Sequence, residues 1–310
     1  MIRLEGHGYR LAIAPEMGAS ITLLDWLDRG QQGPEKWHPI LEPVTDVSAG
    51  FKAGAFVMAP FANRIDGGRF SFRGQRHTLA LNQPSEGMAI HGLARDLAFQ
   101  TISHRPDHAH LSLRVDQPGL AWQFDLDLQV TITPKGVCIA LDLCNRGALA
   151  MPFGIGLHPW FRKPKGSLLT FRQPLTHKRD ARGLPLAATQ PQPAFSPEDP
   201  ESLSDMAWFD GIFADWSRCE AQLSWPVEGL AINLSASGAL RHLHVYVPDD
   251  RPVVCAEPVS HLPDALNRSE LAQMDILEPA EHLSGAVLIC AQRLTSCSAK
   301  TATIQQEVTP

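Results

Sequence analysis

Two residues carry chemistry that the rest of the chain must position. One is His158, inside the run Pro152-Phe153-Gly154-Ile155-Gly156-Leu157-His158-Pro159-Trp160-Phe161, and the other is Glu257, which follows Val253-Val254-Cys255-Ala256. The first run sets an imidazole between two kinds of neighbour. Glycines let the backbone approach a ligand, and a Pro-Trp-Phe segment stiffens a turn and offers an apolar wall. A proton carrier beside a flat apolar surface suits a pocket that packs on the C–H face of a pyranose. A histidine in such company is more often a packed, hydrogen-bonded core residue than a catalyst. Glu257 resists that plain reading, because a charge entering an apolar run is costly unless it is paired or functional.

Three further places set polar groups beside turn residues: Asn63-Arg64, His91-Gly92 and Phe209-Asp210-Gly211-Ile212-Phe213, with Trp216 close behind. Arg64 fits a ligand contact or a fold-bracing arginine. His91 fits a site or the cap of a turn, and Asp210 fits a site or a strand end, since Asp-Gly is a common turn pair. Trp160 and Trp216 each read as core, with one of them available to stack on a sugar. Other clusters carry less. His104, His108 and His110 lack a fourth ligand for zinc. His242 and His244 share one strand face and read as exposed. Ser260, His261 and Asp264 have triad residue types but no nucleophile elbow.

The elements that must hold these groups are strands. From Trp122 to Ile132, apolar Trp122, Phe124, Leu126, Leu128, Val130 and Ile132 alternate with polar residues, a period of two. Asp125 and Asp127 therefore belong to a solvated outer face. After Pro134-Lys135-Gly136 a second strand, Val137 to Leu143, completes a hairpin. Similar short strands are expected at Tyr9–Ala14, Ile21–Leu24, Arg69–Phe72, His77–Leu81, His110–Val115, Leu168–Phe171, Ala231–Leu234, His244–Val247 and Val287–Leu294. Short helices are expected only at Ser202–Trp208 and around Ser269–Met274. The proline-rich stretch Pro185–Pro200 reads as an exposed loop. The fold class expected is all-β, a sandwich or barrel of antiparallel strands. Residues 1–294 read as one domain, and residues 295–310 as a polar, disordered tail.

The 310 residues are 44% hydrophobic and 19% charged, enough to bury a sizeable core. A net charge of -6 without a basic block argues against nucleic acid as a partner. The six cysteines form no CxxC, and Cys138, Cys255 and Cys290 lie in apolar runs, as reduced thiols do. With no membrane-length run, a cytoplasmic enzyme or binding protein is expected.

The motifs Pro60-Phe61-Ala62-Asn63-Arg64-Ile65, followed by Gly67 and Phe70, and His91-Gly92 come first in the chain. His158-Pro159-Trp160-Phe161, Asp210 and Ala256-Glu257-Pro258, followed by Pro263-Asp264-Ala265 and Asn267, come after. In order and context, from Gly54 to Asn267, they resemble the aldose 1-epimerase (galactose mutarotase) family. The Met151–Gly154 approach and Trp160, where the best-known members have tyrosine, are more similar to a divergent bacterial mutarotase-like branch. The resemblance implies a large, mostly antiparallel β-sandwich (the galactose mutarotase-like supersandwich) with a groove on one sheet. It implies Glu257 as general base, His158 as acid, and His91 beside them facing the ring oxygen. Asn63, Arg64, Asp210 and Trp160 would contact a sugar substrate. No metal or cofactor is expected, and the protein would be a monomer or homodimer. Two alternatives stay open. One is an epimerase for an anionic sugar such as a hexose 6-phosphate, its charge held by Arg162, Lys163 and Lys165. The other is a carbohydrate sensor without turnover.

Overall fold

A computed structural model describes residues 1–29, 34–45, 53–172, 175–268 and 274–294. Strands are numbered in chain order. One sheet runs β1 (Ile2–Gly6), β2 (Tyr9–Ala14), β3 (Ser20–Asp28), β5 (Ala55–Met58), β15 (Gly156–Arg162), β23 (Val253–Val259), β22 (His242–Val247) and β19 (Phe209–Phe213), with β4 (Lys36–Pro39) paired to β3. The other runs β10 (Gln100–Arg105), β11 (His108–Val115), β12 (Phe124–Thr133), β13 (Gly136–Asn145), β25 (His282–Arg293), β21 (Leu230–Gly238), β20 (Glu220–Trp225) and β16 (Leu168–Phe171). Four two-stranded sheets complete the architecture of the described residues. They are β6 (Arg64–Asp66) with β9 (Met88–Ile90), β7 (Arg69–Phe72) with β8 (Gln75–Thr78), β14 (Met151–Phe153) with β24 (Asp275–Leu277), and β17 (Leu175–Arg179) with β18 (Pro185–Pro191).

The fold is all-β and antiparallel, and the inner faces of the two sheets meet in one apolar core. In β12 the alternation works as the sequence dictates. Phe124, Leu126, Leu128, Val130 and Ile132 are buried, and the residues between them face outward. Asp125 there pairs with Arg114 at 2.7 Å and Arg146 at 2.8 Å, both half-exposed or more.

The central strands of the first sheet behave differently, because both of their faces are covered. Every residue of β23 is buried. Val254 and Ala256 join the inter-sheet core, while Val253, Cys255, Glu257 and Val259 face the opposite way. On β15, Leu157 and Phe161 point into the core, and His158 and Trp160 point away from it. That second, covered face carries the polar residues discussed below.

Three local expectations change. Ser202–Trp208 forms a turn at residues 203–205 rather than a helix, and the Ser202 hydroxyl accepts from the Ser204 N–H, competing with helical bonding. Pro185–Pro200 is not a plain loop: it begins with β18 and then a 3-10 turn at Pro193–Phe195 that buries Phe195. Proline is tolerated in β18 because the pair has only edges. Of the three cysteines placed in apolar runs, Cys255 is buried, while Cys138 and Cys290 are only half-buried on outward positions. The helix expected around Ser269–Met274 (all but Met274) and the 295–310 tail lie outside the described residues. Among the described residues, no helix is long and apolar enough to cross a membrane.

Candidate active site

Strand register fixes the floor of a cavity of about 550 Å³. Phe56 on β5 stands opposite His158, His244 on β22 opposite Glu257, Tyr246 opposite Cys255, and Asp210 on β19 opposite Tyr246. Between β15 and β23, Gly156 pairs with Val259 and Trp160 with Cys255, which sets His158 across from Glu257. No pairing forms between those two points. Each of the two residues is followed by a proline, Pro159 and Pro258, and neither proline has an N–H to give to the ladder. The glycines of this run serve the protein rather than a ligand. A Cβ at Gly154 would lie 2.1 Å from the His261 ring, and one at Gly156 would meet Met58 and Val259 at 2.8 and 2.9 Å.

His158 is clamped. Its ring stacks on Phe56 at 4.5 Å on one side and on Trp160 at 5.1 Å on the other, with His91 edge-on at 5.0 Å. Its Nε2 lies 3.2 Å from Glu257 Oε1, while His158 Nδ1 and Glu257 Oε2 have no hydrogen-bond partner among the described residues. Burial, with His244 close by, pulls the His158 imidazole down to about 3. Burial, followed by the Asp210 carboxylate, pushes the Glu257 carboxyl well above its usual range. Both directions favour one proton on the pair: a neutral imidazole beside a protonated carboxyl. Moving that proton across the 3.2 Å contact gives imidazolium and carboxylate without changing the proton count.

The β6/β9 ladder supplies one wall. Just beyond its Arg64–Ile90 pair, Asn63 and His91 both adopt left-handed backbone conformations. The Asn63 N–H donates to His91 Nδ1 at 3.2 Å, and the His91 N–H returns a bond to the Asn63 carbonyl at 2.9 Å. An accepting Nδ1 leaves the proton of a neutral His91 on Nε2, and burial, then His158, lowers its pKa well below normal. His91 therefore caps a turn and presents an N–H donor at once. Gly92 follows at φ 72°, where a Cβ would lie 2.1 Å from the Ala59 carbonyl oxygen.

A chain of hydrogen bonds runs from this wall to the far strand. The Arg64 N–H and Nη1 donate to Asn63 Oδ1 at 2.9 and 3.3 Å, which orients the amide. Asn63 Nδ2 can then donate to His244 Nδ1 at 3.2 Å, and His244 Nε2 to Asp210 Oδ1 at 2.6 Å. Arg179 pairs with Asp210 Oδ2 at 2.7 Å, and Arg64 approaches it to 3.8 Å. Burial alone would raise the Asp210 carboxyl, but His244, Arg179 and Arg64 outweigh it and hold the group down at about 2. Asp210 is thus held as an anion with lone pairs for hydroxyl groups, while burial favours the neutral form of Glu257.

The family model described as aldose 1-epimerase matches residues 1–290. The chain belongs to the aldose 1-epimerase family. Among its relatives, the uncharacterized protein YphB of Escherichia coli K12 is 27% identical over 277 residues, covering 83% of this chain and 91% of that one. A galactose mutarotase-like protein from Clostridium acetobutylicum shares the fold with a TM-score of 0.80 at 16% identity, covering 94% of this chain and 95% of that one. The GalM/aldose epimerase homologue from C. elegans does so with a TM-score of 0.76 at 15% identity, covering 95% and 99%.

As a member of the aldose 1-epimerase family, the chain gathers Asn63, Arg64, His91, His158, Trp160, Asp210 and Glu257 around one cavity. His158, Glu257 and Asp210 reach it from strand interiors, not from turns as their neighbours suggested. Trp216 is part of the inter-sheet core, its indole N–H bonded to the Glu220 carbonyl, so Trp160 is the tryptophan of this pair that lines the cavity. His244 is the main residue missed. It reads as exposed, yet it is 4% exposed and links Asn63 to Asp210. Arg162 and Lys163 turn elsewhere, to Glu228 and to the Pro248 carbonyl. Cys255 offers a sulfur within 4.8 Å of ligand atoms of His158 and Glu257, a trio able to hold a metal ion. Burial, then Glu257, pushes that thiol well above its normal range, so a metal would first have to displace its proton.

Proposed function

We propose that the protein is a mutarotase that interconverts the α and β anomers of a neutral hexose or related aldose by opening and reclosing the pyranose ring. The observation that carries this reading is the buried His158–Glu257 pair, 3.2 Å apart, at the floor of a cavity lined by aromatic faces and hydroxyl-binding groups. Ring opening needs a base at the C1 hydroxyl and an acid at the ring oxygen, two atoms bonded to the same carbon. The carriers must therefore stand side by side, as these do.

In the imidazolium–carboxylate form, Glu257 takes the proton of the C1 hydroxyl. The O–H electrons become the second C1–O1 bond, the C1–O5 pair moves to the ring oxygen, and His158 protonates it there. Rotation about C1–C2 presents the other carbonyl face. His158 then takes the O5 proton, Glu257 returns one to O1, and the pair ends with the proton it began with. His91 Nε2–H donates to a sugar oxygen, Asp210 and Arg64 fix ring hydroxyls, and Trp160 lies against an apolar face. The cavity arginines are already paired, Arg64 with Glu86 at 3.3 Å and Arg95 with Asp96 at 3.2 Å, which favours a neutral sugar over an anionic one.

Positioned acid–base groups contribute roughly 10²–10⁴-fold each. Glu257→Gln and His158→Asn should each lower kcat by about that factor while calorimetry still detects bound sugar. Polarimetry on a freshly dissolved α-anomer reads the rate directly, and near wild-type mutarotation in either variant removes the assigned role. Sugar binding with no acceleration by the wild type would leave a carbohydrate sensor. A panel of glucose, galactose and their 6-phosphates tests the charge preference.

A further inference from the structure

The cavity does not end where one sugar ring would. Trp208 lines it and is 53% exposed, unlike the buried rings of Phe56 and Trp160 on its floor. A lone exposed hydrophobic side chain is ordinary. This one has a charged neighbour. Arg179, the partner of Asp210, lies 5.6 Å over its ring. That contact ties the indole to the Asp210 corner of the cavity and leaves much of its surface open.

We propose that the substrate is the reducing end of an oligosaccharide, and that Trp208 is the stacking platform for the sugar next to the reacting ring. This deepens the mutarotase reading of the same cavity and rests on it. Trp208 immediately precedes β19, beyond the Phe209–Val247 pair. Continuing the registers of β19 with β22 and β22 with β23 places it two strands across and four residues along from Glu257. At usual strand spacings that is about 16 Å of backbone separation, beyond one pyranose ring and within reach of two linked rings. With C1 at His158 and Glu257, the opposite edge of the ring points towards Asp210, and a glycosidic link from that edge leads on to Trp208. An indole face packs on the C–H face of a sugar without reading its hydroxyl pattern, as a secondary subsite requires.

NMR exchange rates on maltose, cellobiose and lactose, beside glucose and galactose, test this. At least one disaccharide should show a higher kcat/KM than its reducing-end hexose. Trp208→Ala should lower that value about tenfold, through KM, while changing hexose turnover by less than about twofold. Trp208→Phe should retain most of the preference. Equal losses on hexose and disaccharide, no loss on either, or hexose turnover with no disaccharide turnover overturns the proposal and leaves the mutarotase reading intact. Calorimetry on the same sugars keeps the two apart: disaccharide binding that depends on Trp208, with no turnover of any sugar, removes the mutarotase reading and leaves the platform.

Discussion

β12 and β23 obey the same period of two and come to opposite ends. In β12, water takes the polar face: Asp125 and Asp127 stand half-buried, and Asp125 is paired with two solvent-exposed arginines. In β23 there is no water face, and Glu257 is 2% exposed between His158 and His244. A carboxylate in the first setting contributes little to stability or to chemistry. In the second it is expensive to ionise, and burial pushes its pKa well above the usual range, which suits the proton-carrying role proposed for it. The lesson concerns cover. Alternation says which side chains share a face, and only what lies over that face says what they are for.

Four measurements would break or sharpen this contrast. The largest effect belongs to Glu257→Gln, whose roughly 10²–10⁴-fold loss of kcat should come with no fall in Tm, because an isosteric amide is cheaper to bury than a carboxyl that must ionise. A fall of many degrees would make Glu257 a structural residue after all. Next comes His244→Phe, which breaks the link between Asn63 and Asp210. A hydrogen bond to a charged group contributes about 1.5–3 kcal/mol, so kcat/KM should drop roughly 10- to 100-fold. Retention of wild-type kcat/KM would exclude His244 from the site.

The third is a pH dependence of stability. Burial, as the largest cause, lowers His242 and His261 to about 4 each in the folded protein. Between about 6.5 and 4 the unfolded chain takes up protons that the folded chain refuses, so stability is full above about 6.5 and falls as pH drops. Each histidine should contribute about 1.4 kcal/mol per pH unit over that window. His242→Asn should flatten the curve of denaturant-derived stability by one such share, and an unchanged slope would contradict it. The smallest effect is on β12: Asp127→Asn should change stability by less than about 0.5 kcal/mol and leave mutarotation alone.

The sandwich was legible because its outer sheet is one-sided, and β12 and β13 write that asymmetry into every second residue. Glu257 was legible for a related reason, as a charge at the end of an apolar run. His244 was not. On β22 the sequence His242-Leu243-His244-Val245-Tyr246-Val247 looks like a strand with a wet polar side, but long-range cover closes that side: Asn63 of the β6/β9 wall lies over His244. A signal was present nonetheless. The polar face of β22 carries no Lys or Glu, the residues that water-facing strands usually show. The His158 run misled in its own way, since its glycines and proline are turn residues by habit and here lie in and beside a central strand for packing reasons.

Pro159 and Pro258 thin the hydrogen bonding of the sheet beside the proposed acid–base pair. Two antiparallel strands ordinarily separate only by breaking the bonds that join them, and a sheet is stiff for that reason. Between β15 and β23 the stretch flanked by Gly156–Val259 and Trp160–Cys255 lacks the two N–H donors that other residues would bring there. It is a more thinly laced stretch of the sheet. Under the proposed mechanism, that thinner lacing would let the spacing of His158 and Glu257 adjust around C1 and its two oxygens at less cost than in a fully bonded pair of strands. A residue with an N–H at either proline would add a donor and stiffen that spacing.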